Sequence, residues 1–241
     1  MRRRQVVTIA AGCALGVAQV VLTATHAPWH VRRWTLTPPM ALAFVAALAE
    51  RPRTATTRLV TAALGLSAVG DAFLTDSTPA RDERATLAGI GAFAAAYATL
   101  TAAFWRGRPR PSEAWVAVAT VGTVAAVATT VLPHAAGVLR GGVPVFGAVI
   151  ASMVWAAEST ALRGTLDPRL ARWVVPMAPL LLLSDSLVAL LLFHPRFKPA
   201  PVAADIVVRA TYLAGWVLML LLVQEEGRWD TGSWTSSNSA R

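Results

Sequence analysis

Apolar positions in this chain come in long runs separated by short, mostly basic stretches. The runs cover about Val6 to Thr25, then 36–50, 57–75, 85–105, 113–132, 143–162, 173–193 and 203–223. Most approach the ~20 residues needed to cross ~30 Å of hydrocarbon as a helix. The run at 36–50 is shorter, and Pro38 and Pro39 suit its first turn, where proline costs little. This pattern predicts an all-α, polytopic membrane protein with eight transmembrane helices in one bundle over residues 1–224. The segment 225–241 is polar and has no apolar period, as expected of a disordered cytoplasmic tail. Arg2-Arg3-Arg4 ahead of the first run could open a signal peptide cleaved after Ala27. The apolar core is longer than such peptides use and further runs follow, so a retained first helix fits better.

Composition agrees with this reading. Of the 241 residues, 55% are hydrophobic and only 15% charged, whereas a soluble domain carries about a quarter charged residues. In a soluble protein the net charge of +9 would suggest nucleic acid. Here the arginines sit between apolar runs and set orientation instead, so no nucleic-acid partner is expected. With a cytoplasmic N-terminus, the inner segments (Arg2–Arg4, Arg51–Arg58, Arg106–Arg110, Arg163–Arg172, Arg228 and Arg241) outweigh the outer ones by roughly two to one. Both termini are then cytoplasmic, in a multi-pass protein of the cell membrane. Arg32 and Arg33, on the outer side, are the exception. Cys13 is the single cysteine, which excludes an internal disulfide and any CxxC site.

Two runs carry an acid. Asp185 sits between Ser184 and Ser186 in the middle of a leucine-rich run, and Asp71 follows Ser67-Ala-Val-Gly. A carboxylate near a helix centre costs about 2.5–3.5 kcal/mol on insertion scales, so such residues face a protein interior or a watery cavity. At 1.5 Å per residue, Asp71 lies ~21 Å, Asp185 ~18 Å and Arg209 ~9 Å from the ends at which their helices start, which places all three in one layer. Asp205, Arg209, Tyr212 and Trp216 recur every three or four residues and share a helix face, with Asp205 and Arg209 in the favourable ion-pair order. A structural pair reaching for the interface and a phosphate site explain that face equally well. Pro176 and Pro179 are expected to kink the helix that carries Asp185. His26, His30, His134 and His194 fall in loops, and no metal or other cofactor is expected, since catalytic zinc needs three protein ligands. Gly12-xxx-Gly16 reads as a helix contact, and Glu158 as an acid near the cytoplasmic end of its run.

Two acids in one pocket repel, which would leave one of them protonated beside a carboxylate. That arrangement suits proton transfer, in an acid/base hydrolase or in a proton-coupled carrier. A purely structural role, in which the acids bond neighbouring helices, is a third reading. Asp71 is followed by Tyr97 and Asp185 by Tyr212 at nearly equal spacing, two helices each, which would fit a parallel repeat of four helices with its site at the interface.

The chain resembles the YhhN family of eight-span membrane proteins, which includes lysoplasmalogenases. Ser67-Ala-Val-Gly-Asp71-Ala-Phe-Leu74 is similar to the family's S-x-x-GD-x-x-L. Gly89-Ile-Gly-Ala-Phe93, Val143-Pro-Val-Phe146 with Ile150 and Met153, Leu183-Ser-Asp-Ser-Leu187 with Ala189 and Phe193, and Ala210-Thr-Tyr-Leu-Ala214 carry the rest. The sequence departs from the family pattern at Thr37, where a lysine is common before proline, at Tyr97 in place of a histidine, and at Trp216 in place of glutamine or histidine.

The resemblance implies hydrolysis of the vinyl ether bond of a lysoplasmalogen-type lysophospholipid drawn from the bilayer, giving a fatty aldehyde and a glycerophospho-alcohol. That chemistry needs an acid to protonate the alkene and a base to deliver water to the resulting oxocarbenium ion, as glycosidases do with two carboxyl groups and no metal. Asp71 and Asp185 are the expected pair. Tyr97 or Tyr212 would orient water or acid, Arg209 would hold phosphate, and Ser67 and Ser184 would support the acids. A proton-coupled carrier or a non-catalytic lipid-handling protein is the alternative.

Overall fold

The computed structural model describes residues 3–25, 29–52, 54–74, 83–105, 114–163, 166–197 and 202–226. These form eight α-helices and no strand. The helices are α1 (Arg3–Ala24), α2 (Trp29–Ala49), α3 (Ala55–Leu74), α4 (Glu83–Trp105), α5 (Ala114–Val131), α6 (Leu139–Leu162), α7 (Pro168–Phe193) and α8 (Val202–Glu226). Single 3-10 turns at Leu132–His134 and Pro195–Phe197 follow α5 and α7.

Six helices, α3 to α8, are long and apolar enough to cross a membrane, which makes this a multi-pass membrane protein. The expectation of eight spans is corrected here. Among the described residues, the apolar parts of α1 and α2 shrink to Val6–Ala18 and Pro39–Ala49, too short for ~30 Å of hydrocarbon. In α2 the reason is plain: the helix starts at Trp29, so His30, Arg32 and Arg33 lie inside it and not in an outer loop. Arg51, in the left-handed region at φ 52°, and Pro52 then stop α2.

Other boundaries also move outward. Asp167 caps α7 by accepting a 2.8 Å hydrogen bond from the Arg169 amide through Oδ1, with Pro168 at the first helical position. Arg169 and Arg172 are therefore helical. Arg140 belongs to α6 and Gln224 to Glu226 to α8. His26, the loops containing Arg81, Arg106, Arg108, Arg110 and Lys198, and the tail from 227 lie outside the described residues.

Polar side chains on the outside of the bundle are satisfied within their own helix. Thr99, Thr123, Thr130 and Ser152 each donate to the carbonyl four residues back, which removes an unpaired hydroxyl from a surface facing lipid. Beside them stand exposed apolar residues such as Val118, Val145 and Trp115, as befits a surface wetted by acyl chains and not water.

Small residues bring the helices together. In the α3–α4 seam, a Cβ on Gly70 would stand 2.6 Å from the Phe93 ring, and one on Gly89 would meet Leu74 at 2.5 Å. Gly215 of α8 receives Leu181 of α7 in the same way. Gly12 and Gly16 of α1 receive Val217 and Leu213 of α8, so this motif is the helix contact expected of it. Each pairing runs in opposite directions along its two helices, which makes these neighbours antiparallel. The core they enclose is filled by Tyr97, Trp216, Phe104, Met153, Met177 and Leu181, all fully buried.

At the end of the bundle where α8 stops, polar groups tie four helices together. Gln224 Nε2 donates to Thr8 Oγ1 at 2.9 Å, Thr54 Oγ1 donates to Glu226 Oε1 at 2.6 Å, and Arg172 pairs with buried Glu225 at 3.3 Å. Glu158, on α6, is half-buried, and its Oε1 has no hydrogen-bond partner among the described residues.

Candidate functional site

A cavity of about 290 Å³ opens between α3, α4, α5, α6, α7 and α8, toward the end at which α3 and α7 finish and α8 begins. Its polar wall consists of Asp71, Ser184, Asp185, Ser186, Asp205, Arg209 and Tyr212. The rest is apolar: Ile90 and Phe93 from α4, Val124, Val127 and Ala128 from α5, Phe146 and Ile150 from α6, and Leu192 and Phe193 from α7. An apolar pocket with a few convergent polar groups is the usual form of a small-molecule site.

Asp71 is placed by the close α3–α4 seam. Gly70, its neighbour, lets the Phe93 ring approach α3 closely, and that ring packs edge-on against Tyr212, 6.1 Å between centroids. Tyr212 is held from its other side by Trp216, 5.7 Å away. Its hydroxyl donates a 2.8 Å hydrogen bond to Asp71 Oδ2. The phenol thus comes from α8 and the acid it serves from α3, 141 residues earlier in the chain.

Asp185 is presented by the α7–α8 seam. Ser184 beside it is buried and turns away, donating to the Val208 carbonyl at 3.3 Å. Pro176 and Pro179 lie inside α7, which remains one helix through both of them. The neighbour of Asp185 from across the bundle is Tyr97 of α4, whose side chain interacts with it. Neither Asp185 Oδ2 nor the Tyr97 hydroxyl makes a hydrogen bond of ordinary geometry among the described residues. The two are close but not joined. Tyr97 is fully buried between Phe93 and Phe146, at centroid distances of 6.5 and 5.8 Å.

Of the residues singled out in the sequence, Asp71, Ser184, Asp185, Arg209 and Tyr212 line one cavity. Tyr97 stands behind Asp185 and outside the lining. Ser67, one turn before Asp71, is fully buried and its hydroxyl has no hydrogen-bond partner among the described residues. Arg209 Nε approaches Asp205 Oδ1 at 3.1 Å, an ion pair by distance whose N–H does not point along the contact. Trp216 touches Tyr212 and does not line the cavity. The spacing of aspartate and tyrosine suggested a repeat of four helices with its site at the interface, and either tyrosine was expected to orient water or acid. The contacts run between hairpins: Tyr212 of the second donates to Asp71 of the first, and Tyr97 of the first lies against Asp185 of the second.

Sequence reasoning missed Ser186 and the whole contribution of α5. Val124, Val127 and Ala128 look like any lipid-facing valine and alanine, and no local signal marks them. Among the described residues, no three His, Cys, Asp or Glu side chains gather as a metal site would require. His134 and His194 do meet, with ring centroids 4.9 Å apart and His194 Nδ1 accepting from the Arg196 amide at 3.2 Å.

Comparison with known families decides the relationship. A profile of the YhhN family matches residues 32–223, well over half of the chain. The protein is a member of the YhhN family. The matched region includes α3 to α7 complete and nearly all of α8, and with them every residue of the cavity wall. No curated protein and no solved structure matches the chain significantly.

Proposed function

We propose that this YhhN-family protein is a membrane-embedded hydrolase that cleaves the vinyl ether bond of lysoplasmalogen-type lysophospholipids. The products are a fatty aldehyde and a glycerophospho-alcohol. The observation that carries the proposal is the meeting of Asp71 and Asp185 in one largely apolar cavity with Tyr212 and Arg209.

The chemistry follows from that wall. An enol ether is unreactive to water until its β-carbon is protonated, and the oxocarbenium ion that forms then needs water and a base. Two carboxyl groups in a site of low polarity can supply both functions. The apolar wall suits an alkenyl chain, while Arg209 and Asp205 suit a charged headgroup. The site needs no metal or organic cofactor for this reaction. The polar groups gather toward one end of the bundle, which supports a substrate lying in one leaflet over a carrier path along the whole bundle. The basic bias of the inner segments supports a cell-membrane location with both termini cytoplasmic.

The test is aldehyde release from a purified lysoplasmalogen by the full-length protein in detergent, beside Asp71→Asn and Asp185→Asn. Each variant is expected to lose at least the ~10²- to 10⁴-fold that a general acid or base contributes, with an unchanged elution profile. No release by well-folded wild-type protein, or wild-type rates in both variants, would overturn the proposal.

A further inference from the structure

The two carboxyl groups are alike in type but not in surroundings. Asp71 Oδ2 accepts the Tyr212 hydroxyl at 2.8 Å. Asp185 Oδ2 is buried and receives no hydrogen bond of ordinary geometry among the described residues, and the Tyr97 hydroxyl interacts with Asp185 without making one. Ser184 cannot help, because its hydroxyl is already donated to Val208 O. Burying a carboxylate oxygen with no donor carries the largest penalty a polar atom can meet, and a neutral carboxyl group avoids most of it. A carboxylate that accepts a phenolic hydrogen has that penalty met.

From this asymmetry we infer that the two aspartates enter the cycle with different duties: Asp185 on α7 delivers the first proton, and Asp71 on α3, held by Tyr212, receives one from water. The charged and titratable groups that face this pair are Tyr97 from α4 and Asp205, Arg209 and Tyr212 from α8. Arg209 is engaged with Asp205, which leaves the tyrosines as the groups that set the two acids apart.

The assignment rests on the hydrolase reading, and the cycle it gives closes on itself. Asp185 gives its proton to the β-carbon of the enol ether, the double-bond electrons form that C–H bond, and the α-carbon becomes an oxocarbenium ion. Water adds to the α-carbon and passes a proton to Asp71, giving a hemiacetal. Asp71 then returns that proton to the glycerol oxygen as its C–O bond breaks. Asp185 takes the proton of the hemiacetal hydroxyl as the aldehyde forms. Both groups end as they began, and one water is consumed. Tyr212 is a positioning residue in this scheme, since it acts through Asp71. Tyr97 has the same relation to Asp185.

Infrared spectroscopy of the purified full-length protein at neutral pH separates this assignment from the question of turnover. The carbonyl stretch of a protonated carboxylic acid stands apart from that of a carboxylate and moves in D₂O. One such band from the cavity is expected in wild-type protein, absent in Asp185→Asn and retained in Asp71→Asn. Tyr97→Phe should shift its frequency and Tyr212→Phe should leave it in place. The two phenylalanine variants decide the matter should an aspartate variant fail to fold. A band lost in Asp71→Asn, a band moved by Tyr212→Phe alone, or no band at all would overturn the assignment. None of these readings depends on whether a vinyl ether is cleaved, so the hydrolase proposal stands or falls separately.

Discussion

The Tyr212 hydroxyl of α8 donates a 2.8 Å hydrogen bond to Asp71 Oδ2 of α3, joining two helices far apart in sequence at the wall of the cavity. Replacing Tyr212 with phenylalanine removes only that donor, since the Phe93 and Trp216 contacts are made by the ring. A hydrogen bond to a charged group is worth about 1.5–3 kcal/mol, so kcat should fall roughly 10- to 100-fold. KM should change little, because the phenol is spent on Asp71. Steady-state aldehyde release over a range of substrate concentrations reads both constants.

On the proposed function, Arg209 is expected to act on recognition and not on the chemical step. Its guanidinium lines the cavity while its Nε rests on Asp205 at 3.1 Å. Arg209→Ala should raise KM for a lysophospholipid about 10-fold or more and leave kcat within a few-fold. A vinyl ether alcohol without phosphate is the control: wild type should turn it over with a KM that Arg209→Ala does not change. A similar KM increase for both substrates would show that the arginine acts on the fold and not on the headgroup.

The apolar wall should read the hydrocarbon chain. Ala128 of α5 borders the cavity, and a tryptophan there would fill much of it. Long-chain substrates should then lose most of their kcat/KM, while short-chain analogues retain theirs. A series of chain lengths assayed in the same detergent measures the difference. Equal loss at every length would place the chain elsewhere.

The far end of the bundle provides a contrast. Glu225 is 2% exposed and pairs with Arg172, which is half exposed. Arg172→Ala removes the cation and leaves the buried carboxylate with less compensation, at a cost of about 1–3 kcal/mol. The thermal unfolding midpoint should drop while activity per folded molecule stays near wild type, because Arg172 is remote from the cavity.

The cavity's polar residues were largely legible in the sequence. An aspartate inside an apolar run is conspicuous, so Asp71 and Asp185 declared themselves, and helical spacing gathered Asp205, Arg209 and Tyr212 on one face. Partner choice was not legible. Either tyrosine was a candidate to orient an acid, and only tertiary packing shows that Tyr212 bonds Asp71 while Tyr97 lies against Asp185. The α5 wall was invisible for a related reason: in lipid, the outside of a helix is as apolar as its inside, so hydropathy cannot tell which face of Val124 or Val127 looks inward. Helix starts were misread wherever a polar first turn preceded the apolar run. His30, Arg32 and Arg33 in α2 and Asp167-Pro168 ahead of α7 are the clear cases.

Crosswise pairing also has a consequence for biosynthesis. Asp71 emerges from the ribosome well before the helix that supplies its phenol, and Asp185 meets α8 only after the turn that follows Phe193. Until α8 docks into the seam prepared by Gly12, Gly16 and Leu181, the cavity lacks Arg209, Asp205 and Tyr212 together. On the proposed function, a half-made chain in the membrane is expected to be inert toward the lipids around it. The last helix to arrive is the one that completes the polar wall of the cavity.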